Sequence, residues 1–224
     1  MRPIISAFLV AVLAIGPWNL PVSAATAKPL GVVILAKSAH LDSAEAVMGA
    51  TVYSGDAIDT DAGGTLRLRV GSNQVYLTSS SAASFGQTAG VAHINVINGT
   101  MGFSSAIPDQ LELETPGGIL RGAPGGAAFG QVTVLGPQEM VISAFRGGLI
   151  LDNDGELHTI SEGKSYRVTI DEETSANSSN DEPIKAHHKK RRRVAFFILG
   201  MSAVMAGTGY LLYHEISESP SDPH

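Results

Sequence analysis

The chain has 224 residues, of which 16% are charged and 44% hydrophobic, with 25 glycines, 11 prolines and no cysteine. The missing thiols exclude disulfides, thiolate metal centres and cysteine nucleophiles, and low charge with abundant glycine suits a turn-rich β protein better than a helical bundle. The formal charge of −6 is unevenly spread: residues 25–185 carry nine Lys/Arg against eighteen Asp/Glu, while residues 187–193 hold five cations. An acidic body repels phosphate backbones, which excludes nucleic acid as its partner.

Residues 1–24 have the layout of a secretory signal. Arg2 supplies a short positive start, residues 4–15 form a largely apolar stretch, and Gly16-Pro17 interrupts it. Val22 and Ala24 place small residues at the −3 and −1 positions of a cut after Ala24.

The expected strands follow in order. Residues 31–36 (GVVILA) form a buried strand, whereas the periodicity of 42–48 leaves a helical turn and an irregular edge equally open. Leu66, Leu68 and Val70 alternate with Thr65, Arg67 and Arg69, and Val75 and Leu77 alternate with Gln74, Tyr76 and Thr78. A period of two puts every second side chain on one face, the mark of a half-buried strand. Gly71-Ser72 between these runs reads as a tight turn. Residues 91–97 alternate again and end at Asn98-Gly99, read as a hairpin turn leading into Met101 and Phe103. Residues 111–115 (LELET) stop at Pro116, which has no amide to give a ladder. Residues 117–126 read as a glycine- and proline-rich loop or irregular crossing. Strand patterns return at 129–135, 140–145, 149–151, 156–160 and 166–170, with Asp152-Asn153-Asp154-Gly155 as a hairpin turn. About ten short strands separated by turn signals predict an all-β sandwich, roll or solenoid-like stack.

Residues 171–193 read as an acidic, Ser/Asn-rich tether that ends in a polybasic flank of Lys189, Lys190, Arg191, Arg192 and Arg193. Residues 194–213 are uncharged. At 1.5 Å per residue they reach about 30 Å, the thickness of a bilayer core, and predict a single C-terminal transmembrane helix. Phe196, Phe197, Tyr210 and Tyr213 lie near its ends, where interfacial aromatics belong. Residues 214–224 form a short tail. The positive-inside rule favours a cytoplasmic flank, yet long exported segments cross largely regardless of charge. The body is therefore expected outside, with the flank against lipid phosphates.

Reactive constellations are not found. Gly163-Lys164-Ser165 imitates the end of a phosphate-binding P-loop, but His158 stands where that motif needs its first glycine. His40, His93, His158, His187, His188, His214 and His224 form no H-E-x-x-H pair, and no G-x-S-x-G elbow occurs. His93 and His158 are expected at the surface, and His187-His188 as part of the basic flank. Asp56, Asp59 and Asp61 lie within six residues, a pattern that can hold Ca²⁺. No catalytic residue, cofactor or metal site is expected.

Val47, Gly49, Val52, Gly55-Asp56, Ile58, Thr60, Leu66, Leu68, Gly71-Ser72, Val75, Leu77 and Phe85 recur in a distinctive order. Val96, Gly99, Phe103, Leu113-Glu114-Thr115-Pro116, Gly126, Phe129, Val141, Gly147, Leu149 and Gly163-Lys164 continue it. Over residues 31–170 this pattern resembles the FecR domain, the periplasmic module of iron-siderophore signalling regulators. Gly49, Gly55, Asp56, Ile58, Thr60, Gly71 and Ser72 are its fold-signature positions. The chain departs from the family pattern at Val70, where an Asp is usual, and at Gly126-Ala127, where Gly-Thr is common. The signalling regulators also carry an anti-sigma segment and a membrane helix ahead of this domain. Here a signal peptide stands in front and the membrane helix behind, so sigma-factor control is not implied. The resemblance implies a FecR-type β domain in the periplasm, held by a single-pass anchor in the bacterial inner membrane. Such a domain acts without catalysis, sensing or tethering an envelope protein or glycan. The alternative is an assembly protein of an envelope complex whose β domain self-associates as a homo-oligomer. A membrane hairpin with a cytoplasmic body is a third arrangement.

Overall fold

The computed structural model describes residues 28–172 and 192–199. The expected signal, nearly all of the tether, residues 200–213 of the expected span and the tail lie outside the described residues. What is described is almost entirely strand, joined in one fifteen-stranded sheet with a single 3-10 turn at Pro108–Gln110. The all-β expectation and the sheet agree.

Three long strands set the architecture: β1 (Pro29–Leu41), β4 (Ala57–Val70) and β7 (Val91–Ser105). Shorter ones lie among them: β2 (Ala44–Glu45), β3 (Thr51–Tyr53), β5 (Asn73–Leu77) and β6 (Ala82–Thr88). The first half of β4 pairs with β6 (Asp59↔Ala82) and its second half with β5 (Leu66↔Leu77). β7 does the same, pairing with β6 at Phe85↔Ile94 and with β5 at Val75↔Phe103. A strand that changes partners halfway along has to bend out of one layer into another. The bends carry positive φ at Ser38 in β1, Gly63 in β4 and Gly99 in β7. The β1–β4 register shifts at the same corner, between Lys37 and Ala39.

From these bends the sheet runs outward as two layers. One continues from the first half of β7 through β8 (Leu111–Thr115), β9 (Gly118–Gly122), β12 (Leu149–Asn153) and β13 (Glu156–Ile160). The other continues from the second half of β7 through β10 (Ala128–Gly136), β11 (Glu139–Arg146), β14 (Lys164–Glu172) and β15 (Arg192–Leu199). The layers face each other closely. A Cβ on Gly130 of β10 would fall 2.7 Å from Leu149 Cδ1 of β12, and one on Gly117 2.2 Å from Met140 Cε of β11. Leu66, Leu77, Ile94, Phe103, Leu113, Leu120, Val132, Ile142 and Leu149, drawn from both layers, form one continuous buried cluster. Burying each such side chain contributes about 1.5–3 kcal/mol.

This folding explains the parallel pairing of β7 with β8 (Ala92↔Leu111 to Asn95↔Glu114). Parallel neighbours need a long crossover, and the second half of β7 is that crossover. It descends the opposite layer, and residues 106–110 cross back beneath the core.

Three sequence expectations are corrected. Asn98-Gly99 is no hairpin, because the chain continues as β7 and bends there, with β6 pairing up to Asn98 and β5 from Met101 onward. Residues 117–126 are not all loop: β9 lies between β8 and β12, and Ile119 and Leu120 supply the alternation that the surrounding glycines obscure. The third concerns residues 194–199, where a helix is expected and a strand is found. β15 pairs with β14 over eight residues, from Ser165↔Leu199 to Glu172↔Arg192. Val194, Phe196, Phe197 and Ile198 are β-branched or aromatic, and side chains of that kind fit a strand beside an open edge as readily as a helix. Among the described residues no helix is long and apolar enough to cross a membrane.

Candidate functional site

The fold-signature positions gather at the turns and at the corner. Gly49 donates its amide to Val33 O (2.9 Å), seating the turn before β3 against β1. The Gly55-Asp56 turn holds Phe85 from both sides of its peptide: Gly55 N donates to Phe85 O (2.8 Å) and Phe85 N to Asp56 O (2.9 Å). The Asp56 carboxylate accepts the amide of Tyr53 at 2.8 Å. Its charge is therefore spent on the turn. Ile58, the next inward residue, is in the core.

Thr60 is the polar centre of the corner. Its hydroxyl donates to Thr78 O and accepts the amide of Ser81 at 3.0 Å, while Thr60 N donates to Ser81 O at 2.9 Å. Ser81 passes the link on, accepting Thr100 N at 2.9 Å and donating to Thr100 O at 3.1 Å. Chain segments approach closely here. A Cβ on Gly64 would meet Ser38 O at 2.2 Å, and one on Gly99 would meet Ser81 Oγ at 2.4 Å. Only a residue without a side chain fits either place.

Gly71-Ser72 lies at the opposite end, beside the crossing beneath the core. Ser72 Oγ reaches Gln110 Oε1 at 3.3 Å. The adjoining Asn73, buried at 2% exposure, accepts from Ser105 Oγ (3.2 Å) and Ala106 N (3.3 Å) through its Oδ1. This turn positions the return of the chain from one layer to the other.

The described histidines each face a carboxylate. His93 Nδ1 is 3.2 Å from Glu112, its register partner on β8, and Arg121 stands 4.0 Å from the same carboxylate. His40 Nδ1 is 3.2 Å from Asp59. The metal-capable atoms of His40, Asp59 and Asp61 lie within 4.8 Å of one another. Asp56 is not in that group, so the three-aspartate cluster of the sequence is split. All three groups are on the open surface of the corner, and nothing beyond their proximity points to an ion. Gly163-Lys164-Ser165 enters strand β14 with no helix after it, so no helix N-terminus is present to receive a phosphate. Asp152 closes the β12–β13 hairpin by accepting Gly155 N at 2.9 Å.

The outermost strands of the two layers meet. Phe196 of β15 stacks on His158 of β13, with ring centroids 4.4 Å apart, and meets Tyr166 of β14 edge-on at 6.2 Å. Under this cover His158 Nε2 makes no hydrogen bond, its nearest acid being Glu156 at 3.5 Å. His158 is thus a covered residue of a seam, where a surface position is expected. Phe197, on the far face of β15, is 58% exposed, and Ile198, on the face of Phe196 but beyond the seam, is 72% exposed.

No family model matches the chain, nor does any curated protein. Two solved structures are similar to it, crystal structures at 1.65 and 2.50 Å resolution of a proposed anti-sigma factor from Parabacteroides distasonis. They are 11% and 12% identical, with TM-scores of 0.47 and 0.46, and each covers 66% of this chain. The chain spans 62% of the length of these proteins. Likeness this shallow carries no functional assignment.

Ser81, Asn73 and the pair His158–Phe196 escape sequence reasoning. Ser81 lies between strands and Asn73 opens β5 after a polar turn, and only their buried hydrogen bonds distinguish them. His158 and Phe196 are far apart in the chain and share no motif. The doubled Gly63-Gly64 within an otherwise alternating run was the available signal for the corner.

Proposed function

We propose that this chain is an exported, single-pass inner-membrane protein whose FecR-like β domain binds an envelope protein or glycan without catalysing a reaction. The observation that carries the reading is the run from Lys189 to Tyr213, in which five consecutive cations precede twenty uncharged residues. Such a run is long enough to span a bilayer core as a helix, and its cations pair with lipid phosphates. The leader-like residues 1–24 support an exported position for the acidic body. The duties of the body's polar side chains fit a reading without catalysis. Thr60, Ser81, Asn73 and Asp56 hold corners and turns, and the imidazoles of His40, His93 and His158 face carboxylates on three separate strands.

Protease added to intact spheroplasts tests the arrangement. The body is expected to be cut at the same rate in intact and detergent-lysed samples. Cutting that begins only after lysis would place the body in the cytoplasm and overturn the reading.

A further inference from the structure

We infer that residues 192–199 have two mutually exclusive places, strand β15 on the edge of β14 or the leading part of a membrane-spanning helix. The inference rests on the membrane-anchor reading above and deepens it.

Length requires the exclusion. With 194–199 kept in β15, the uncharged run retains only residues 200–213. As a helix these fourteen reach about 21 Å, short of a bilayer core of about 30 Å. The strand cannot enter lipid as it stands either. Among the described residues its outer edge is the end of the sheet, and unpaired backbone groups are not tolerated in hydrocarbon. To span, the segment has to leave β14 and satisfy its own backbone as a helix.

The side chains carry the marks of both environments. An edge strand needs one apolar face, and β14 has that pattern, with Val168 and Ile170 buried while Arg167 and Asp171 are exposed. β15 is apolar on both faces: Phe196 packs on His158 and Tyr166, Phe197 is turned to the opposite face, and Ile198, on the face of Phe196, is left exposed beyond the seam. Outward apolar side chains contribute nothing to the sheet, and a lipid-facing helix requires them all round. Insertion therefore strips β14 from Ser165 to Glu172 and uncovers His158 and Tyr166. An edge opened in this way takes an added strand, so the state of the anchor is displayed on the domain as an available or an occupied edge.

A disulfide between Arg167→Cys and Phe197→Cys tests the exclusion. The two positions are register partners, both exposed, in a chain without other cysteines. Directly opposed antiparallel residues have Cα atoms about 4.5–5.5 Å apart, within disulfide range. Locked, the chain has residues 198–213 to span with, about 24 Å as a helix. Full-length protein, oxidised or reduced, is floated with carbonate-washed phosphatidylcholine/phosphatidylglycerol vesicles beside a variant carrying Ala203→Arg and Gly207→Arg. The reduced form is expected to float, and both the oxidised form and the double-arginine variant to float at least about tenfold less. Equal flotation of oxidised and reduced forms, with the double-arginine variant left behind, would overturn the exclusion and leave the anchor standing. If the reduced form fails to float, or the double-arginine variant floats with it, residues 194–213 are not the anchor. Both readings then fall.

Discussion

Thr60 shows how one hydroxyl can decide the path of a strand. It is buried at 5% exposure and joins two segments, bonding Thr78 O and Ser81 N where β4 turns from one layer to the other. Thr60→Val keeps the shape and leaves Ser81 N and Thr78 O short of a partner. An unsatisfied buried group costs about 1–3 kcal/mol, so urea denaturation is expected to show that loss, with Thr60→Ser recovering most of it. The corner glycines belong to the same scale. Gly64→Ala and Gly99→Ala place a methyl within 2.6 Å of backbone oxygen, Ser38 O in one case and Ser80 O in the other. Forcing atoms into filled space typically costs about 1–3 kcal/mol, which lowers the melting temperature by several degrees. Gly136→Ala, with nothing within 4 Å of the new methyl, is the matched control and is expected to stay within about 0.5 kcal/mol of the parent.

Among the elements, β14 depends on its neighbours unequally. On one side β11 pairs with it from Glu139↔Thr169 to Ala144↔Lys164, and Arg167 and Glu139 add an ion pair. That pair is half-exposed and contributes little. On the other side β15 is held by its ladder and by Phe196 in the seam between Tyr166 and His158. Phe196→Ala removes the ring that closes the seam. In detergent-free buffer, hydrogen exchange at the β14 amides directed to β15 is expected to quicken about tenfold, while the β10–β11 ladder is unchanged. Equal acceleration in both would mean that Phe196 supports the whole sheet and not its edge.

Across the whole molecule, the bent strands make the two layers one cooperative unit. β4 and β7 belong to both, and the buried cluster runs through both without a break. Neither layer keeps its inner face dry when the other is lost. Calorimetry of the full chain is expected to give one transition with equal calorimetric and van't Hoff enthalpies. Two separated transitions would show that the layers unfold independently. The charge distribution acts at the same scale: an acidic body beside five consecutive cations makes the two ends of the tether electrostatically unlike.

The strand content was legible in the chain itself because it depends on short-range alternation. Leu66/Leu68/Val70, Val75/Leu77 and Leu111/Leu113 each declare an inward face within a few residues, and Pro116 and Asp152–Gly155 declare their stops. The signature positions were legible as residues, and their duties were not. Nothing local says that Thr60 reaches Ser81, that Asn73 catches Ser105 and Ala106, or that Asn98-Gly99 bends a continuing strand instead of reversing it. The sign of a bend depends on which strands wait on either side, and those come from distant parts of the chain. β15 is the sharpest instance. By itself the sequence determined an uncharged run with the length of a membrane span. Only the tertiary structure decided that the first six residues of that run also have a partner, because the open edge of β14 and the ring of His158 exist only once the two layers have closed.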